Sequence, residues 1–199
     1  MSKEYQYLDP DYVYTDPDTG VLRNLAGIDD QRSLMFAESA AVSKRSGELR
    51  TNPIRIDSSR ALFTIHHHLF QDIYSWAGMQ RTVEISKGGR PFFLLAHFSN
   101  AFNFIDNLIW EYHRLESDDK LSLSRKLAEI LDAINFLHPF RDGNGRTQRE
   151  FLRLLAAEKG WNLNLNPPDN PDTYVRYMNG TINGDVASLT DLIYETMSK

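Results

Sequence analysis

His138-Pro139-Phe140-Arg141-Asp142-Gly143-Asn144-Gly145-Arg146-Thr147-Gln148-Arg149 separates two apolar stretches of helical spacing. Upstream, Leu123, Leu127, Ile130, Leu131 and Ile134 repeat at three- and four-residue intervals; downstream, Phe151, Leu152, Leu154 and Leu155 do the same. The run is therefore predicted to be a glycine-rich loop entering a helix N-terminus, where unpaired N–H groups and the helix dipole favour an anion. Arg146 and Arg149 fall three residues apart, on one face of the first turn, where they can reach outer phosphate oxygens. His138 supplies an imidazole that can take a proton near neutral pH. Asp142 supplies a carboxylate suited to a hard cation. Together these are the parts of a loop that handles a nucleoside triphosphate.

Two blander readings compete. Asp-Gly and Asn-Gly are common turn dipeptides, so the run could be a plain turn between helices. That gives no reason for a histidine and two arginines to flank it. A calcium loop is the other, but Arg146 and Thr147 stand where an acidic ligand and a glycine belong.

Composition narrows the classes. At 199 residues, 41% hydrophobic and 25% charged, the chain suits one globular domain with a sizeable core. A net charge of −5 argues against bulk nucleic-acid or anionic-membrane binding. Arg141, Arg146, Arg149 and Arg153 cluster against that acidic background, which fits a focused anion pocket. The absence of cysteine excludes disulfides and thiolate metal sites and is compatible with a reducing cytosol. The start, Met1 to Tyr5, has no apolar signal core, and the longest apolar run, Pro91 to Phe98, is too short to span a membrane. The expected location is cytoplasmic.

Most of the chain reads as helix. Residues 1–28 form an N-terminal arm, and Tyr5 to Asn24, carrying Tyr5, Tyr7, Tyr12, Tyr14, Pro10, Pro17 and Gly20, is expected to be irregular. Helices are expected from a cap at Asp29 or Asp30 to about Lys44 with Gly47 as the stop, and from Asp57 or Ser58 with Leu62, Ile65, Leu69, Phe70 and Ile73 facing inward. Others should start at Ser99 or Asn100, near Ser122, and at the glycine turn, the last ending at Gly160. The segment 170–199 should hold two more, capped by Asn170, with Pro171 at its first position, and by Asp185. The exception is 82–98, where Val83, Ile85, Phe93 and Leu95 flank Lys87-Gly88-Gly89-Arg90. This predicts an isolated β-hairpin whose free edge can receive an extended segment of a partner. His66-His67-His68 points its rings in different directions on a helix and is assigned structural roles rather than metal binding. Trp76, Trp110 and Trp161 read as core or interface anchors, and Lys87 and Arg90 as either a solvated turn or an aid to positioning a target.

The run from His138 to Arg149 resembles the Fic-family pattern H-P-F-x-[D/E]-G-N-G-R-x-x-R over its whole length. Asn135, Ile65-His66, Asp72 to Gly78 followed by Arg81, and the hairpin from Ile85 to Phe93 also resemble Fic landmarks. Tyr14 to Asn24 and Gly184-Asp185 are similar to the bacterial toxin-type branch. The resemblance implies a mainly α Fic fold, a helical bundle spanning 1–199 with a β-hairpin flap at 82–98 beside the motif at 138–149.

The resemblance further implies a protein adenylyltransferase moving AMP from ATP onto a Ser, Thr or Tyr hydroxyl. His138 would be the general base and Asp142 the Mg²⁺ ligand. Gly143, Asn144 and Gly145 would cradle the anion, with Arg146 and Arg149 on the β/γ-phosphates. Asn135 and Phe140 would support the loop, and Ile85, Ser86, Lys87, Gly88 and Phe93 would dock the target. The inhibitory pattern [S/T]-x-x-x-E-[G/N] of many relatives is missing: Ser33 to Glu38, Ser43 to Glu48 and Thr190 to Glu195 each contain one residue too many. A toxin restrained by a small antitoxin that supplies a glutamate at Arg149 is the implied arrangement. The targets it suggests are gyrase B and the topoisomerase IV E subunit, with no direct nucleic-acid or membrane contact. Phosphoryl transfer is the nearest rival, though the phosphorylating branch carries lysine at the place of Gly145. Removal of AMP and an inactive peptide-binding module complete the alternatives, and a longer effector delivered into a host cell is a further setting.

Overall fold

The computed structural model describes residues 5–87 and 89–199. Its elements are β1 (Tyr5–Leu8), α1 (Gln31–Thr51), α2 (Ala61–Phe70), β2 (Glu84–Lys87), β3 (Arg90–Pro91), a 3₁₀ turn (Leu95–His97), α3 (Phe98–His113), α4 (Lys120–Leu137), α5 (Asn144–Glu158), α6 (Pro171–Asn183) and α7 (Val186–Thr196). α4 is the axis. Its residues Leu123, Leu127, Ile130, Leu131, Ile134 and Leu137 are buried, and it packs against α3, α5, α6 and α7. α2 closes the other side against α1 and α5. The buried apolar side chains form one cluster running from Tyr14 to Met197.

Local chemistry sets the helix starts. Asp30, Asp119 and Asp185 each accept an N–H three residues on, from Ser33, Ser122 and Ser188, satisfying one orphan donor of α1, α4 and α7. Several expected boundaries move: α2 starts at Ala61 and not at Asp57 or Ser58, α4 at Lys120 and not near Ser122, and Asn170 precedes α6 without a side-chain cap bond. Gly47 does not stop α1, which continues to Thr51 because burying Leu49 outweighs the helix cost of one glycine. α3 begins at Phe98 with no side-chain cap, the preceding 3₁₀ turn supplying the entry instead of Ser99 or Asn100.

The hairpin is present but not isolated. Residues 5–8, expected to be irregular, form β1 and pair antiparallel with β2, giving a sheet of order β1-β2-β3. The register sets Tyr5 opposite Lys87, Gln6 opposite Ser86, Tyr7 opposite Ile85 and Leu8 opposite Glu84. A third strand meets the needs of a hairpin too small to be stable alone. The rest of the arm is tied down at the base of the flap. The Asp9 carboxylate accepts the N–H groups of Val13 and Tyr14. Buried Tyr14 packs edge-on against Trp76, and its hydroxyl accepts the Thr82 N–H at 3.0 Å. Trp76 is buried as expected, whereas Trp110 is exposed with the Arg114 guanidinium over its ring.

Tyr14→Phe keeps the ring packing but removes the acceptor of the Thr82 amide, which lies on an exposed residue and can turn to water. Urea unfolding should show a loss of about 0.5–1.5 kcal/mol, the net worth of one hydrogen bond.

Candidate active site

α4 ends at His138, a non-glycine residue in the left-handed region at φ 46° whose N–H still bonds the Ile134 carbonyl at 3.0 Å. This conformation turns the chain out of the helix and sets the imidazole, buried to 5% exposure, face to face with Phe92 at 3.8 Å between centroids. Nδ1 lies 3.1 Å from the Asn135 carbonyl. A carbonyl only accepts, so Nδ1 carries the proton and Nε2 is the proton-accepting nitrogen. Burial, and next the positive charges of Arg81 and Lys87, push the pKa down to about 3. The expectation of an imidazole titrating near neutrality is thus corrected: His138 is neutral throughout the physiological range.

The following loop is fixed by its own motif residues. The Asn144 side chain brackets Phe140, accepting its N–H at 3.0 Å and donating to its carbonyl at 2.8 Å. This amide therefore braces the loop, and only the backbone of Asn144 is left for an anion. Phe140, 1% exposed, stacks on His66 at 3.9 Å. The Gly78 N–H donates to His66 Nδ1 at 2.8 Å, which fixes the tautomer so that Nε2–H donates to the Asp142 carbonyl at 3.0 Å. Gly143 has φ 78°, and a Cβ there would lie 2.5 Å from the Phe70 ring, so only glycine fits.

α5 then starts without a side-chain cap. The N–H groups of Asn144, Gly145 and Arg146 have no intrahelical partner and form the anion-binding end. Gly145 is in ordinary helical geometry; a Cβ there would point towards Arg149 Nη1 at 3.4 Å and the Tyr177 hydroxyl at 3.8 Å, so its missing side chain keeps that space open. Arg149 lies over Tyr174 and Tyr177, 5.3 and 5.4 Å from their centroids, and no carboxylate of the described residues forms an ion pair with it.

Arg146 is differently placed. Its Nη1 pairs with Glu38 of α1, its Nη2 lies 3.4 Å from Asp142 Oδ1, and its guanidinium covers the Phe70 ring. The Tyr74 hydroxyl donates to the other Glu38 oxygen. The two motif arginines are therefore not equivalent: one is held by carboxylates and the other lies over two tyrosine rings. Asp142 also accepts the Gly143 N–H through Oδ1, and its side chain is 41% exposed. Among the described residues no group of three or more His, Asp or Glu side chains converges as a metal cage. A lone half-exposed carboxylate beside an anion-binding helix end fits Mg²⁺, which retains waters and shares phosphate oxygens with one or two protein carboxylates.

Arg81, 1% exposed, joins loop and flap. Its Nε donates to the His138 carbonyl at 2.9 Å, Nη1 to Val83 O at 2.6 Å and Glu84 at 3.1 Å, and Nη2 to Phe93 O at 2.5 Å. The five flap residues expected to dock a target divide. Ile85 is buried and Phe93 is packed on Phe98 and Phe136, with its N–H on the Phe136 carbonyl. Both are anchors, so their side chains do not face a target. Ser86 and Lys87 are half-buried, and Gly88 lies outside the described residues. Lys87, with its pKa lowered by burial, lines a cavity of about 760 Å³ together with Phe92, His138, Gly145, Gln148 and Tyr177. Its far wall is apolar, with Phe104, Ile105, Leu108 and Phe136.

Glu38 and Tyr74 escaped the sequence reading. Glu38 belongs to no motif, yet it falls between Leu34 and Val42 on the buried stripe of α1, with its side chain 12% exposed. A carboxylate amid an apolar stripe is itself a signal of a buried cationic partner.

His66 and His138 share a consequence. His66 is also pushed down to about 3 by burial. Both take up a proton in the unfolded chain near pH 6.5 and in the folded chain only near pH 3. Stability should therefore fall as pH drops from 6.5 towards 3, each histidine contributing on the order of 1 kcal/mol per pH unit. Denaturant titrations at stepped pH check this, and a stability constant between pH 6.5 and 4.5 would contradict it.

The Fic/DOC family model matches residues 56–156. The protein adenylyltransferase VbhT of Bartonella schoenbuchensis is 39% identical over 155 residues, covering 75% of this chain but 32% of that protein, so the chain spans about a third of its length. The probable protein adenylyltransferase y4lH of Sinorhizobium fredii is 34% identical over 175 residues, covering 87% of this chain and 89% of that one. Among solved structures, BepC of Bartonella tribocorum, crystallised with AMPPNP, superposes with a TM-score of 0.83 at 21% identity, over 94% of this chain and 97% of that one. The family match extends over the loop, the histidine and the flap just described, and the chain belongs to the Fic/DOC family.

Proposed function

We propose that this chain transfers AMP from ATP to the hydroxyl of a protein side chain. The observation that carries the proposal is one cavity lined both by His138, a neutral imidazole with an accepting Nε2, and by Gly145 at the open N-terminus of α5. Relatives of this chain bearing the name protein adenylyltransferase support it.

In this reading the hydroxyl oxygen attacks the α-phosphorus as its proton passes to His138 Nε2. The bond from the α-phosphorus to the bridging oxygen breaks, and pyrophosphate leaves. The N–H groups of Asn144, Gly145 and Arg146 receive charge developing on phosphate oxygens, as preorganised dipoles do without reorganisation. Arg149 holds the outer phosphates. Arg146, clamped by Glu38, fixes the helix end and the orientation of Asp142 more than it binds phosphate, which modifies the role expected for it. Mg²⁺, held by Asp142, would neutralise phosphate charge. The apolar wall of Phe104, Ile105 and Leu108 suits a flat base, and a cavity of about 760 Å³ lies in the range of small-ligand sites.

The toxin role and the restraining partner are part of the same proposal. Arg149 lacks a carboxylate partner among the described residues, and a glutamate from a separate chain could pair with its guanidinium by two parallel hydrogen bonds. Occupying the outer-phosphate position, it would misplace the α-phosphorus relative to the hydroxyl. The toxin-type resemblance points to the ATPase subunits of type II topoisomerases as acceptors, and a cytoplasmic site of action goes with that reading. No helix of the described residues is long and apolar enough to cross a membrane.

Label position decides the reaction. Transfer from α-labelled ATP supports adenylylation, transfer from γ-labelled ATP would make the chain a phosphoryltransferase, and neither would leave a binding module. His138→Ala should lower transfer by about 10²–10⁴-fold, the usual worth of a general base, while calorimetric ATP affinity is retained. Because burial keeps His138 deprotonated well below neutrality, kcat/KM should show no rise with an apparent pKa near 6.5.

A further inference from the structure

The flap has one edge able to accept a strand, and the chain's own residues 5–8 sit on it. On the β3 side, Pro91 has no N–H, the Phe93 N–H goes to Phe136 O, and the Phe93 carbonyl receives Arg81. The Phe92 N–H faces inward, to Ile85 O. No outward donor remains on residues 91–93. Since Ile85 turns its backbone groups towards β3, strand alternation turns those of Glu84 and Ser86 to the opposite side, where they meet Leu8 and Gln6 of β1.

We propose that β1 is an internal stand-in for the target: an extended segment of the acceptor protein docks by replacing residues 5–8 on β2. This rests on the adenylyl-transfer reading and adds to it where and against what the acceptor must compete. Replacement is favoured over addition to the outer side of β1. His138 lies beneath Phe92, on the β3 side of the sheet. Each additional strand would carry the acceptor about 4.8 Å further from it.

The arm is built to let go locally. Asp9, Tyr14 and Thr82 anchor the chain immediately beyond the strand, so it stays attached at the base of the flap when residues 5–8 leave β2. While tethered they act at an effective concentration in the millimolar range, which a weakly binding acceptor must overcome.

Two variants test this, one lacking residues 1–8 and one carrying Gln6→Pro, which removes the N–H facing Ser86. A labelled synthetic peptide of residues 1–8 should bind the truncated chain, restore slow amide exchange at Glu84 and Ser86, and fail to bind the intact chain. A scrambled peptide should do neither. With α-labelled ATP and a bacterial protein extract at limiting concentration, both variants should transfer label to extract proteins roughly tenfold faster than the intact chain. Adding the 1–8 peptide should reverse the gain of the truncated chain. Unchanged exchange at Glu84 and Ser86 on truncation would overturn the occupancy, and unchanged or slower transfer would overturn the competition. Loss of label transfer in all three proteins, with exchange and peptide binding as expected, would overturn the adenylyl-transfer reading while the edge assignment stands.

Discussion

One buried guanidinium holds the candidate site together. Arg81 reaches the carbonyls of His138, Val83 and Phe93 and the carboxylate of Glu84 while its plane lies near the Phe98 ring. A planar fork can serve several acceptors lying in different directions; an ammonium could not. Removing a charge of this kind from water is costly unless its donors are matched, and here three backbone carbonyls and a carboxylate match them. The cost of leaving any of them unmatched ties the helix end, the flap base and the flap return into one rigid unit. The distance between the imidazole and the strand-bearing edge is thereby a property of the fold and not of a mobile loop.

The helices were legible because their burial and their periodicity agree. Leu62, Ile65, Leu69 and Phe70, or Leu123, Leu127, Ile130 and Ile134, repeat at helical spacing and are all buried. Caps were legible at Asp30 and Asp185, whereas α4 is capped by Asp119, three residues before the Ser122 from which its start is expected. What stayed hidden depends on partners far along the chain. β1 is only four residues, Tyr5-Gln6-Tyr7-Leu8, too short for a pattern to declare it, and its order comes from β2, some eighty residues away. Gly47 was read by local propensity where tertiary burial of Leu49 prevailed. The motif residues could be named from spacing, but their inequality could not. That Arg146 is held and Arg149 is not follows from Glu38, more than a hundred residues upstream.

That inequality has an electrostatic logic. Glu38 and Asp142 place two carboxylates around Arg146, so this cluster offers no net positive charge before any ligand arrives. An incoming polyphosphate meets its net positive charge at Arg149 and at the N–H groups of α5. Tyr74, whose pKa is raised by burial and next by the Glu38 charge, remains a hydrogen-bond donor and keeps that carboxylate oriented. The overall acidity of the chain thus coexists with a local cationic focus at Arg149 and the N-terminus of α5.

The left-handed turn at His138 makes the site a standing compromise between folding and chemistry. That backbone region costs an L-residue about 1–2 kcal/mol relative to ordinary helix, and it is usually filled by glycine or asparagine at a helix end. Backbone strain considered alone would favour glycine here, and a survey of thermostabilising substitutions guided by backbone conformation would be drawn to this position. Accepting such a change would relax the helix terminus and remove the only imidazole facing the cavity among its described lining residues. The chain keeps a small, permanent instability in the place where its reactive ring must project. Variants selected for heat tolerance without a selection for transfer are therefore expected to drift towards folded, inert forms.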